Sequence, residues 1–387
     1  MSPADVRVPR EDDFTSRLHS PAVASRVGLW LGISFAVCFL TGLVSHWAQT
    51  TDPLVPFPTS PAWGYRFTQG LHVVTGYVCV PLLLVKLWTV YPKLFGRPPR
   101  ALPALTLELL ERASIGVLVG ASVFQLATGL VNVTQWYPPF SFRPAHYAGA
   151  WIAIGALVVH VAVKLPTIRA ALGRDVDDTA LDRPEAVAEG SLSRRGLLRT
   201  TGVAAGVAVL ATAGATVPWL RRVSVLAVRT GEGPQGLPVN RSAQAAGVLG
   251  LADAPDYTLV LVHAGREVTL TRDDLLALPQ HEETLPIACV EGWSASATWT
   301  GVRMVDLLAQ VDRPSGADVV VRSLQTRGAF ATTTLQAQFV EDDRTLLALA
   351  VNGETLDLDH GFPCRVIAPN RPGVLQTKWV TRLEVAT

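Results

Sequence analysis

The sequence predicts a multi-domain protein: an all-α transmembrane helical bundle of about five spans, followed by an α+β domain outside the membrane. Three observations carry this reading. Hydrophobic side chains make up 49% of the 387 residues and charged ones only 17%, the composition of a chain that meets lipid. Four apolar runs approach the roughly 20 residues needed to cross a bilayer. From about Leu237 the pattern changes to short alternating or β-branched runs. With 33 Lys+Arg against 32 Asp+Glu the formal net charge is +1, so any electrostatic argument rests on where the charges sit. Disordered tails, coiled coils and highly charged nucleic-acid binders are poor fits, and four widely spaced cysteines argue against a disulfide scaffold.

The four runs extend from near Val27 to His46, Phe67 to Tyr91, Ala113 to Trp136 and His146 to Leu165. A shorter run, Thr201 to Pro218, is rich in Ala, Gly, Val and Thr and reads as a fifth span. The expected boundaries are a cytoplasmic segment 1–26, a four-helix membrane domain 27–168, a cytoplasmic loop 169–200, an anchor 201–220, a linker 221–236 and an outer domain 237–387.

Lys and Arg resist transfer across the membrane, and here they are strongly asymmetric. Arg7, Arg10, Arg17 and Arg26 precede the first span, and Lys93, Arg97, Arg100 and Arg112 separate the second from the third. Seven more, from Lys164 to Arg199, lie between the fourth and fifth, whereas the opposite loops hold Arg143, with Arg66 at a boundary. The N-terminus is therefore expected in the cytoplasm and everything after Trp219 outside, in the cell membrane of a multi-pass protein. Arg221 and Arg222 run against the rule.

Ahead of the fifth run stands Ser193-Arg194-Arg195-Gly196-Leu197-Leu198-Arg199, which resembles a twin-arginine export signal. Such a route carries folded domains, so it implies a cofactor acquired inside the cell. Two ordinary cytoplasmic arginines are the alternative. Lys86 and Lys164, near inner span ends, are expected to snorkel to the headgroups; Gly202 and Gly206 permit close helix packing. Cys38 and Cys79 read as small apolar residues.

Ionisable side chains inside spans are costly and mark function. His46 closes the first span, His72 lies about two turns into the second, and His146 and His160 share the fourth. A separation of 14 residues falls roughly 40° short of four helical turns and rises about 21 Å, so His146 and His160 share a face. That suits two stacked b haems, each taking one imidazole from this helix. His72 and His146 match in depth and are expected to share the outer haem. An inner haem at His160 finds no histidine at matching depth in the second or third span; only His19 approaches from the cytoplasmic side. An interfacial or hydrogen-bonded histidine is the alternative for each.

The pattern over residues 17–168 resembles the b-type cytochrome subunits of formate dehydrogenases and nickel-iron hydrogenases. Leu71-His72-x-x-x-Gly76 and the His146, His160 pair carry the resemblance. Leu29-Trp30 stands where that family places a first-span histidine for the inner haem.

In the outer domain, strands are expected over Tyr257–Val262, Thr284–Val290, Asp318–Ser323, Leu346–Val351 and Cys364–Ala368. Helices are expected over Asp273–Leu278, capped by Thr271, and over Arg303–Val311 after Trp299-Thr300-Gly301. The preceding Gly231-x-Gly233-x-x-Gly236 is not a dinucleotide motif: Pro234 interrupts it and no helix follows to offer its N-terminus. It reads as linker.

The informative stretch is Pro286-Ile287-Ala288-Cys289-Val290-Glu291-Gly292-Trp293-Ser294. A cysteine ending an apolar strand and entering a Gly-Trp turn can present a thiolate, a strong soft-metal ligand, at a pocket floor. A buried thiol and a disulfide with Cys364 are the alternatives. This run, with Trp299-x-Gly301, resembles the molybdopterin domain of the sulfite oxidase superfamily, particularly the periplasmic methionine sulfoxide reductase catalytic subunit. The resemblance implies that Cys289 ligates molybdenum. A second block, His360-Gly361-Phe362-Pro363-Cys364-Arg365 through Ala368-Pro369, then Gly373 and Gln376-Thr377-Lys378-Trp379, resembles the segment that grips the pterin phosphate. Arg365 and Lys378 match its basic positions, which charge-assisted phosphate binding requires. His360 replaces the usual Asn, Gln376-Thr377 replace a small apolar pair, and Ala288 replaces an arginine. Ser323 and Asn240 fall near further cofactor contacts.

Together these imply a membrane-anchored molybdopterin-dependent oxidoreductase carrying haem b, one group at His72 and His146 with a second left open. It acts on a small extracytoplasmic substrate and exchanges electrons with membrane quinone or another redox partner. No nucleic acid is expected. Two alternatives stand: a molybdopterin enzyme with a haem-free anchor that docks a separate redox partner, and a non-catalytic binding module. Arg322, Arg327 and Arg371 are candidates for an oxyanion pocket. The substrate stays open among sulfoxides, sulfite, nitrogen oxides and other small species.

Overall fold

The computed structural model describes residues 9–51, 53–136, 139–228 and 233–386. Of the positions read above, Arg7, Gly231 and the terminal residue 387 lie outside them. The chain divides into two compact units, one of Met1–Leu40 with His72–Thr212, the other of Thr41–Leu71 with Ala213–Thr387.

The first unit is helical. Helices α1 (Pro21–Ala48), α2 (Gly64–Val90), α3 (Leu102–Val133), α4 (Phe142–Leu172) and α5 (Arg194–Thr212) are each long and apolar enough to cross a membrane by length and composition. All five expected spans are present as helices, and each begins before the apolar run does. The polar first turns, such as Arg194 to Arg199 in α5, carry no apolar signal yet hydrogen-bond as helix. The inward faces pack Val23, Val27 and Leu31 of α1 against Cys79, Leu82 and Leu83 of α2. Large apolar side chains such as Trp30, Leu84 and Val158 face outward, an arrangement that favours an apolar solvent.

Lys86 departs from expectation. It turns inward and donates to the Ala24 carbonyl at 2.8 Å, and Lys164 pairs with Glu111. For Lys86 a partner inside the bundle replaces the headgroup, whereas the Lys164–Glu111 pair stays partly exposed. Both motif arginines are engaged by the preceding acidic loop. Arg194 is buried, pairs with Asp182 and donates to the carbonyls of Arg17, Val176 and Asp178, while Arg195 binds Asp175 and Asp177.

The second unit is α+β, with two five-stranded sheets. Strands β1 (Thr258–His263), β2 (Arg266–Thr271), β5 (Val319–Ser323), β6 (Thr332–Leu335) and β10 (Val380–Val385) form one sheet in the order β2-β1-β10-β5-β6. Only β1 and β10 pair in parallel there. The other sheet runs β3 (His281–Ala288), β4 (Ser294–Arg303), β7 (Leu346–Val351) and β8 (Glu354–Thr355), with β9 (Arg365–Ile367) also on β7.

Five strands went unread in the sequence. The clearest is β4, whose Ser-Ala-Ser-Ala-Thr start looks like loop but pairs with β3 on one side and β7 on the other. Trp299-Thr300-Gly301, expected as a helix approach, lies inside it. A Cβ on Gly301 would stand 2.1 Å from the Leu347 carbonyl oxygen, so the strands can approach only over glycine. Thr271 caps the helix Arg272–Ala277 in a capping box with Asp274, close to expectation.

The segment between α1 and α2 belongs to this second unit. Phe57 and Tyr65 are 4% and 1% exposed, in the same core as Leu259, Leu261, Leu335 and Val366. Burying side chains of this size contributes roughly 2 kcal/mol each. Polar bonds seal the contact: Asn370 accepts from the Tyr65 amide and donates to the Pro58 carbonyl, at 2.5 and 2.7 Å.

Candidate active site

Where β3 ends, the chain turns sharply. The Cys289 amide donates to the Trp293 carbonyl at 2.9 Å and the Gly292 amide to the Cys289 carbonyl at 3.1 Å, with Gly292 at φ 86°. Glycine supplies this left-handed step without strain. Cys289 is thereby placed at the floor of a cleft, where its Sγ lies 3.6 Å from Glu291 Oε2.

The second sequence block forms the opposite wall. Gly361, at φ 110°, lets the chain reverse beside Arg365 and Lys378. Arg365 is fully buried, lies 5.0 Å over the Trp299 ring and donates to the carbonyls of His360 and Gln376 at 3.0 and 3.2 Å. Its Nε, also buried, has no hydrogen-bond partner among the described residues. Burial pulls its pKa down to about 10. Lys378 Nζ donates to the Arg241 and Asp359 carbonyls and to Asn240 Oδ1, at 2.5, 2.9 and 3.2 Å. Burial, then the charge of Arg365, brings it down to about 7. His360 Nε2 donates to the Pro234 carbonyl at 2.7 Å, and burial holds its pKa near 4, so the ring is neutral and Nδ1 keeps its lone pair.

Asn240, His360, Arg365, Gln376, Thr377 and Lys378 thus line one cleft with Cys289. Their side chains divide by task. Gln376 braces the backbone through Ala368 and Arg371, and Thr377 bonds Thr333. Ser323 stands behind the wall, its hydroxyl donating to the Lys378 carbonyl at 2.7 Å, because β5 passes outside the cleft. Cys364 is a free, buried thiol, 3.1 Å from the Tyr257 hydroxyl and pushed up to about 12 by burial. The disulfide alternative with Cys289 is set aside.

Of the candidate oxyanion arginines, none reaches the cleft. Arg322 is exposed and pairs with Glu384, Arg327 is exposed, and Arg371 is buried over Phe339. Arg241 lines it instead. Its one sequence signal was its place beside Asn240. Phe330 and Trp299 were also missed as lining residues.

In the helical unit, His72 and His146 face each other with ring centroids 6.3 Å apart. His72 Nδ1 donates to the Cys38 carbonyl at 2.9 Å. His146 Nδ1 lies 2.8 Å from Thr128 Oγ1, whose own proton goes to the Phe124 carbonyl, so the imidazole is the donor. Both rings therefore carry hydrogen on Nδ1. His160 has Lys86, Lys93, Lys164 and Glu111 as its charged neighbours. Among the described residues no second imidazole stands against it, so the inner haem lacks a ligand pair. His19 is held by the Thr89 carbonyl and the Trp88 ring.

Cys289, Arg365 and Lys378 line this one cleft. Residues 246–387 match the family described as oxidoreductase molybdopterin binding domain. Among relatives, the chain is 31% identical over 161 residues to the mitochondrial sulfite oxidase of Rattus norvegicus, covering 34% of this chain and 30% of that one. It is 32% identical over 116 residues to the uncharacterized oxidoreductase YuiH of Bacillus subtilis, covering 30% and 57%. Over 116 residues it is 33% identical to an Azospira oryzae protein provisionally named as a protein-methionine-sulfoxide reductase subunit, YedZ1, covering 30% and 43%. The chain thus spans less than two thirds of each of these relatives. The solved sulfane dehydrogenase SoxCD of Paracoccus pantotrophus is similar at 25% identity with a TM-score of 0.31, over 34% of this chain and 38% of that one.

Proposed function

We propose that the protein is a membrane-anchored molybdopterin oxidoreductase acting on a small extracytoplasmic substrate and exchanging electrons with membrane quinone through one b haem. The observation that carries the reading is the convergence of Cys289 with Arg365 and Lys378 in one cleft. Cys289 would hold molybdenum, and Arg365, through its unpartnered Nε, and Lys378 would hold the pterin phosphate. Molybdenum supplies two-electron chemistry and haem one-electron transfer. The chain orients and shields: Trp299 backs Arg365, and Gln376 fixes the wall.

The haem assignment draws on the facing imidazoles. With ring centroids 6.3 Å apart, His72 and His146 are the residues that would hold the haem iron. Nδ1 protonation on both leaves Nε2 as the ligand atom, the arrangement that outer-shell bonds to a metal-binding histidine impose. His160 has no such counterpart, so the proposal is one haem. Arg241 is the cation best placed to meet an anionic or strongly dipolar substrate.

Two measurements on detergent-purified protein from a cofactor-competent host test this. Elemental analysis should give one molybdenum per chain, and a reduced-minus-oxidised spectrum a sharp b-type band. Cys289→Ser should abolish haem redox changes on adding methionine sulfoxide or sulfite to suitably poised protein. A substitution that leaves them intact removes Cys289 from the chemistry.

A further inference from the structure

The turn that carries Cys289 is held from outside the strand pair that forms it. Its internal bonds use the carbonyls of Cys289 and Trp293. The carbonyls of Gly292 and Ser294 are taken by the segment that follows α5. The Thr216 hydroxyl donates to Gly292, and Arg221 Nη2 donates to Ser294 at 2.9 Å. A third bond comes from the first turn of α2, where Arg66 Nη1 donates to Ser296 Oγ at 2.7 Å.

The holding segment is itself closed. The Ala213 carbonyl accepts from Thr216 and Val217, the Leu220 carbonyl accepts from Ser224, and a Cβ on Gly214 would lie 2.6 Å from Ser224 Cβ. Thr216 is buried, its methyl 3.7 Å from where a Cβ on Gly70 would stand. By contrast the turn is intrinsically soft, since Gly292 at positive φ has wide backbone freedom.

We propose that Thr216, Arg221 and Arg66 are positioning residues for the Cys289 sulfur, a clamp supplied by the segments continuous with α5 and α2. The backbone of residues 288–294 sets where the Cys289 Cβ stands and so the few positions its rotamers allow Sγ, which is why holding two carbonyls of that turn positions the sulfur. The functional part of the inference rests on Cys289 being the molybdenum ligand. It also gives Arg221 a reason to sit beyond the fifth span against the charge rule: its guanidinium is bound to the turn.

The test uses the full chain in detergent. Thr216→Val removes the hydroxyl and keeps the shape; Thr216→Ser keeps the hydroxyl. Amide hydrogen exchange at Cys289 and Gly292 should quicken about tenfold in Thr216→Val, the factor given by losing one hydrogen bond of ordinary net strength, with Thr216→Ser near wild type. The same variant should change the hyperfine pattern of the Mo(V) resonance generated by partial dithionite reduction. Unchanged exchange overturns the clamp, and so does equal exchange in the Val and Ser variants or lost stability with an unaltered resonance. Arg66→Gln, outside the core, repeats the comparison where Thr216→Val does not fold. Wild-type protein without molybdenum would overturn the functional reading; the exchange comparison, which needs no metal, would still decide the clamp.

Discussion

His360 offers the sharpest test of the site's electrostatics. Its folded pKa near 4 stands below the ordinary histidine value of about 6.5, because burial and the charges of Arg365 and Lys378 disfavour the imidazolium. Between these values the unfolded chain binds the proton and the folded chain does not. Stability should therefore rise with pH across that window, and acidification should remove it, starting near pH 6.5 and levelling off below about 4. At pH 4.5 the loss from this group alone comes to about 2.5 kcal/mol. For a unit of this size that is roughly 5–10 °C in Tm. Carboxylates titrate in the same range, so the assay is a comparison: cofactor-free wild type and His360→Asn, unfolded at pH 7.5 and 4.5 by tryptophan fluorescence. Asn loses the Pro234 bond at both pH values, a constant offset, but cannot take up the proton. Wild type should lose about 2.5 kcal/mol more than the variant on acidification. Parallel losses would refute the buried neutral histidine.

Three further outcomes are expected. Gly301→Ala should destabilise the second unit by about 3 kcal/mol or more, since its Cβ meets the Leu347 carbonyl, a backbone atom that cannot step aside; a chemical unfolding curve measures it. Thr128→Val removes the acceptor of His146 Nδ1 and should weaken haem retention about 10- to 100-fold, read by transfer to apomyoglobin, with molybdenum content unchanged. Asp182→Asn leaves the buried Arg194 guanidinium without its counter-charge and should cost about 3 kcal/mol, seen as faster proteolysis of the 173–193 loop.

Much of this was legible in the sequence because it depends on local pattern. A helix long and apolar enough to cross a membrane announces itself by about 20 apolar residues, and all five were read, with errors at their ends: each starts before its apolar run, α4 continues to Leu172 and α5 stops at Thr212. Cys289, Arg365 and Lys378 could be singled out because each sits in a short block of distinctive neighbours. Leu346–Val351 was legible because it is buried on both faces, where a continuous apolar run is required, and β1 and β5 because their apolar and β-branched residues alternate between buried and half-buried. Missed strands carry their reason elsewhere. The small and polar residues of β4 are strand because β3 and β7 lie on either side, and β2 presents a largely exposed face that reads as loop.

What the sequence by itself determined is the inventory: five lipid-compatible helices, a thiol at a strand end, a basic pair in a second block, and an imidazole pair at matching depth. Only the tertiary structure decided the company these groups keep. It turned Lys86 inward, left His160 among lysines, moved Ser323 behind the cleft wall and brought Arg241 into it. It also drew Phe57, from the segment between α1 and α2, and Tyr65, from the first turn of α2, into the core of a domain that begins some 170 residues later. The reason is physical: periodicity and turn chemistry act over a few residues, whereas hydrogen-bond partners and buried neighbours are chosen by how distant segments pack.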